Sequence, residues 1–134
     1  MRKSLIQCVA AAVLLALVAT TGPSASAAPR KARTSSSFGL TSSGGEAALG
    51  TVTSTHARCV KNRRVNLFLI RPGKPRKLVG VDRRTGRPAG NGDGYWVIET
   101  NLRPGRAYVA VVTRRQVGRI LCLKYTTSRV RYSG

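Results

Sequence analysis

Between Ala47 and Tyr132 the chain is cut into short runs rich in β-branched and aromatic residues, and this punctuation constrains the fold more than any other feature. Turn-forming residues fall at Pro72-Gly73, Thr85-Gly86, Gly90-Asn91-Gly92-Asp93-Gly94 and Pro104-Gly105. The runs between and around them predict strands over Ala47–Thr53, Arg64–Arg71, Lys77–Asp82, Tyr95–Thr100, Arg106–Thr113, Arg119–Tyr125 and Thr127–Tyr132. No stretch keeps an apolar period of 3.6 residues beyond two turns, which argues against a helical domain. Seven strands in about 88 residues predict an all-β fold, a single seven-stranded Greek-key β-sandwich over residues 46–134. In Val65–Leu69 and Tyr95–Glu99 both faces carry apolar residues, which predicts central strands.

The chain ahead of this domain reads differently. Arg2 and Lys3 precede an apolar stretch from Leu5 to Val18, and Ala25-Ser26-Ala27 then matches a small-x-small cleavage pattern. Residues 1–27 are therefore expected to be a signal peptide, cleaved near Ala27, and the protein to be secreted. The apolar core of about 14 residues falls short of the roughly 20 that span a bilayer, which disfavours a membrane anchor. Residues 28–45 consist of Ser, Thr, Gly and basic residues, with Phe38 and Leu40 as the larger apolar groups. That composition predicts a flexible linker.

Cys8 lies within the expected signal, leaving Cys59 and Cys122. An even pair in an exported chain is most simply a disulfide; the alternative is two free, buried thiols. The closed loop would stabilise the domain by roughly 4 kcal/mol in the chain-entropy model. Charge is the other conspicuous property. The chain has 24 Lys+Arg against 4 Asp+Glu, a net +20, and loss of Arg2 and Lys3 with the leader would make it +18.

Three segments resemble a known family. Leu49-Gly50-Thr51-Val52-Thr53 is similar to the opening Gly-x-Val strand of carboxypeptidase regulatory-like domains, which share the transthyretin-like (prealbumin-like) sandwich. Val81-Asp82 followed by Gly94-Tyr95-Trp96-Val97-Ile98 resembles their middle segment, and Leu102-Arg103-Pro104-Gly105 through Val111 resembles their closing one. With the cysteine pair added, the chain resembles small secreted actinobacterial proteins of this sandwich type. The resemblance implies a transthyretin-like or Ig-like sandwich. It implies no particular function, because this fold hosts adhesion, carrier and accessory modules alike.

Catalytic chemistry finds little material. His56 is the single histidine, and a zinc site needs three or four ligands. Glu46, Asp82, Asp93 and Glu99 are the only carboxylates; Asp93 sits in a turn-forming run and Asp82 ends a strand. The Gly90–Gly94 run lacks the acidic ligands of a calcium loop. No catalytic residue, cofactor or metal is expected, and the protein is read as a non-enzyme. The basic residues remain. Arg63, Arg64, Arg71, Lys74, Arg76, Lys77, Arg83, Arg84, Arg114 and Arg115 cluster at loops and strand ends, which predicts a surface for polyanions. The competing reading is a solvated basic coat. The partners such a surface fits are an anionic cell-wall polymer, nucleic acid or an anionic lipid surface, and the protein is expected to be a monomer. Two function classes follow: a secreted, non-enzymatic binding module, or a secreted enzyme of unrecognised type or cationic antibacterial toxin.

Overall fold

Alternation of apolar and polar side chains sets most of the strands in the computed structural model, which describes Gly22 and residues 27–86 and 92–134. Twelve strands occur among these residues: β1 (Arg30–Ala32), β2 (Thr34–Ser36), β3 (Gly39–Thr41), β4 (Ala47–Ser54), β5 (Val65–Leu69), β6 (Lys77–Asp82), β7 (Tyr95–Glu99), β8 (Ala107–Val112), β9 (Arg115–Val117), β10 (Ile120–Cys122), β11 (Tyr125–Thr126) and β12 (Val130–Arg131). The one helical element among the described residues is a 3₁₀ turn, Ala57–Cys59. The fold is all-β, and its sheets are not closed into a barrel. Apart from Gly22 and Ala27, the expected signal peptide lies outside the described residues, as do Arg87 and the Gly90-Asn91 start of the glycine-rich run.

One sheet has the order β11-β8-β5-β6, with β12 also on β8. β8 is flanked on both edges and buried almost throughout, as its near-continuous apolar sequence requires. A bulge in β6 leaves Val79 between the Leu67–Gly80 and Phe68–Leu78 pairs. In the second sheet, β7 runs along one edge of β4 while β2 and β3 share the other. The two sheets pack through one core: Ala48, Val52, Trp96 and Ile98 from the second meet Val65, Leu67, Tyr108, Ala110 and Val112 from the first. Gly50 pairs with Trp96 across β4 and β7. A Cβ at Gly50 would lie 2.8 Å from two atoms of the indole and would also strike the Ser37 carbonyl, so the ring needs glycine beneath it.

The segment 28–45 is not the flexible linker its composition predicts. It supplies β1, β2 and β3, each paired with a strand of the domain. Its order comes from ladder hydrogen bonds and from a few side chains placed against existing groups. Ala32 is buried with Cys59 and Cys122, Phe38 lies 6.0 Å from the Trp96 ring, and Ser36 Oγ accepts from Trp96 Nε1 at 2.9 Å. Small polar residues suit such edge strands, since they expose one side and donate the other to a ladder. The expected last two strands are also subdivided. Arg119–Tyr125 and Thr127–Tyr132 yield the shorter β10, β11 and β12, while β9, paired with β10 across a turn at Gly118 (φ 60°), falls where no strand was expected.

β1, β10 and β9 form a third sheet beside the 3₁₀ turn. Beneath it the Cys59–Cys122 disulfide joins positions 63 apart in sequence, with a Cα–Cα distance of 5.4 Å and both cysteines fully buried.

Candidate anion-binding surface

The strand register decides where the cations lie. Leu69 pairs with Tyr108 and Val65 with Val112, so β5 and β8 run antiparallel and their far ends point to opposite poles. The loop after Leu69, with Arg71, Lys74 and Arg76 before Lys77, therefore lies at one pole, and Arg114 and Arg115 lie at the other. The 3₁₀ turn and the start of β5 bring Arg58, Lys61 and Arg64 to this second pole, and β1 adds Arg30 and Lys31 beside β10. Arg83 and Arg84 follow β6, whose Asp82 pairs with Val65, and so belong to the same end.

Arg63 drops out of the expected surface. It is fully buried, and its guanidinium is directed inward. Nη1 donates to Cys59 O (2.8 Å) and Thr34 Oγ1 (3.1 Å), and Nη2 to Thr113 O (2.7 Å) and Leu123 O (3.0 Å). Four segments are tied together through one side chain, while Nε has no partner. Burial, with the nearby Arg115 charge, pulls the pKa down to about 10, so the group is still a cation at neutral pH. Sequence pattern missed this role because Arg63 stands beside Arg64, which is exposed, and nothing local separates the two.

The remaining expected residues lie at or near the surface. Arg64, Lys74, Arg76, Lys77, Arg83, Arg84 and Arg114 are exposed, and Arg71 and Arg115 are half-buried. Arg115 Nη1 donates to the Lys61 and Asn62 carbonyls, and Arg76 lies 4.5 Å over the Phe68 ring. At the first pole the fold adds two arginines that sequence grouping left out. Ile70 N donates to Ala107 O at 2.9 Å, which sets Arg71 and Lys74 beside Arg103 and Arg106. These four cations line a cavity of about 260 Å³ together with Leu69, Ile70 and Pro72. A second cavity of about 450 Å³ shares Arg71 and Arg103 and extends past Lys77, Leu78 and Asn101. No carboxylate lines either one.

Asp82 and Glu46 are engaged elsewhere. Asp82 accepts from the backbone N–H of Arg84 (2.9 Å) and Val97 (3.0 Å), and Glu46 from that of Leu102 (2.7 Å). Glu46 and Glu99 line a groove of about 880 Å³ along β4 and β7 that contains no basic residue. His56 caps the 3₁₀ turn, its Nδ1 accepting from Arg58 N at 3.2 Å. Among the described residues no three His, Cys, Asp or Glu side chains are grouped to hold a metal, and no helix is long and apolar enough to cross a membrane. No family model matches the chain, and no curated protein matches it.

Proposed function

We propose that this protein is a secreted, non-enzymatic Greek-key β-sandwich module of transthyretin-like type that binds anionic polymers at the cell surface. The observation carrying this reading is the disposition of charge. Cations gather at two poles, and with 24 Lys+Arg against 4 Asp+Glu little of the positive field is neutralised. Two packed sheets support the sandwich. So does the Tyr108 hydroxyl, which accepts from Arg103 N at 2.8 Å across the corner entering β8, a device of Greek-key sandwiches. The N-terminal apolar stretch and the buried disulfide support export.

Binding of a phosphate-rich polymer is expected to weaken linearly in log K against log salt, because each neutralised phosphate releases condensed counterions. Replacing Arg71, Lys74, Arg76 and Lys77 together by serine should reduce that slope while leaving the melting transition in place. Titrations at several salt concentrations check this. A flat salt response, or no retention on cell-wall polymer at low ionic strength, overturns the reading.

A further inference from the structure

The smaller cavity at the first pole has the features of a discrete site. Its four cations come from two separate turns, and both turns are fixed by backbone bonds. Lys74 N donates to Arg71 O at 3.2 Å and Arg106 N to Arg103 O at 3.1 Å, while Gly105 N reaches Tyr132 O at 2.7 Å. Arg103 N is held by the Tyr108 hydroxyl. The Arg71 guanidinium is oriented in advance: Nε and Nη2 both donate to Pro75 O, at 3.0 and 2.7 Å, which leaves Nη1 for a ligand.

Four like charges around one concavity repel each other, and no carboxylate lining it offsets them. A compact anion with more than one charge and several acceptor oxygens relieves that repulsion best, and guanidinium groups match a tetrahedral oxyanion. With a water occupying about 30 Å³ of liquid volume, 260 Å³ has room for such an anion and its attachment. The adjoining cavity offers Asn101 and the exposed Leu78, a mixed lining suited to an uncharged hydroxylated carbon unit. Tyr108 is the one aromatic residue lining either cavity, and it is buried, so there is no platform on which a nucleobase could stack.

We infer that the Arg71–Lys74–Arg103–Arg106 cavity binds the phosphate of a phosphorylated polyol, with the polyol unit extending into the neighbouring cavity. This gives the proposed polymer binding a defined subsite and rests on that reading. The probes are inorganic phosphate and glycerol phosphate, titrated into the protein at constant ionic strength against sodium chloride and followed by NMR. Expected are saturable shifts at Arg71 Nε and at the Arg103 and Arg106 amides, with glycerol phosphate also moving Leu78 and Asn101. Arg103→Gln with Arg106→Gln should weaken glycerol phosphate binding at least about tenfold, as loss of charged hydrogen bonds does. Arg119→Gln with Lys124→Gln removes equal charge away from the cavity and should change it by less than about twofold, since screening confines the effect.

Shifts that do not saturate, or equal weakening by both double variants, would overturn the subsite. If polymer retention then persists, the broader reading survives without it. Saturable phosphate binding in a protein that retains no polymer would instead keep the site and remove the polymer.

Discussion

Arg63 does the work of a polar core in a molecule that has few carboxylates to spare. Its charge is balanced by three carbonyls and a hydroxyl, and those acceptors come from the 3₁₀ turn, β2 and the segments after β8 and β10. Arg63→Ala leaves the acceptors without a donor and opens a void. The expected loss is at least about 3 kcal/mol, measured by urea unfolding. Arg63→Lys keeps the charge but offers one compact ammonium, which cannot span both pairs of oxygens, so it should recover only part of that loss. The pH dependence has a definite sign. The folded-state pKa is about 10, below the ordinary value of an arginine, so above pH 10 the unfolded chain holds this proton more tightly than the folded one. The contribution of Arg63 to stability should therefore rise as pH increases above about 10. The stability difference between wild type and Arg63→Met, followed from pH 9 to 11.5 or so, isolates it; a difference that shrinks over this range contradicts the assignment.

At the scale of elements, two features join the sheets. The first is the Tyr108 corner. Tyr108→Phe keeps the ring in the core but deletes the acceptor for Arg103 N, at an expected cost of about 1–2 kcal/mol. Hydrogen exchange at the Arg103 amide should quicken in the same variant, since its only protein acceptor is gone. The second is the N-terminal pair β1 and β2. They cover an edge of β10 and of β4, give Arg63 its Thr34 acceptor and give Trp96 its Ser36 acceptor. A chain starting at Phe38 should melt on the order of 10 °C lower than one starting at Ala28. An unchanged melting temperature would return this segment to the role of a linker.

For the whole molecule the question is how a domain so rich in like charge stays folded. Self-repulsion favours expansion, and the disulfide opposes it by limiting how far the unfolded chain can spread. With its cysteines 63 positions apart, the chain-entropy model gives the cross-link about 4 kcal/mol. That is a large share of the 5–15 kcal/mol or so typical of folded domains. Reduction should lower the unfolding free energy by about that amount. The loss should be greater at low salt, where repulsion between the poles is less screened. Denaturant titrations with and without reductant, at two salt concentrations, test both parts. A reduced protein as stable as the oxidised one would show that the core suffices alone.

Period-two patterning and Pro/Gly punctuation made β4 to β8 readable from the residues, because burial of one strand face is a local property of the sequence. Trp96 belonged in the core for the same reason, and the pairing of Cys59 with Cys122 was open to simple arithmetic once Cys8, inside the expected signal, was set aside. The segment 28–45 was not readable. A strand with few apolar groups is ordered by the edge it joins, and that edge exists only after β4 and β10 are in place. Arg63 and Arg64 are neighbours of one chemical type, and only packing sends the first inward to four oxygens and the second to solvent. The cation-lined cavity is decided the same way. Arg71 and Arg106 are far apart in the chain, and the β5–β8 register alone brings their turns together, because hydrogen-bonded strands fix which loops share a pole.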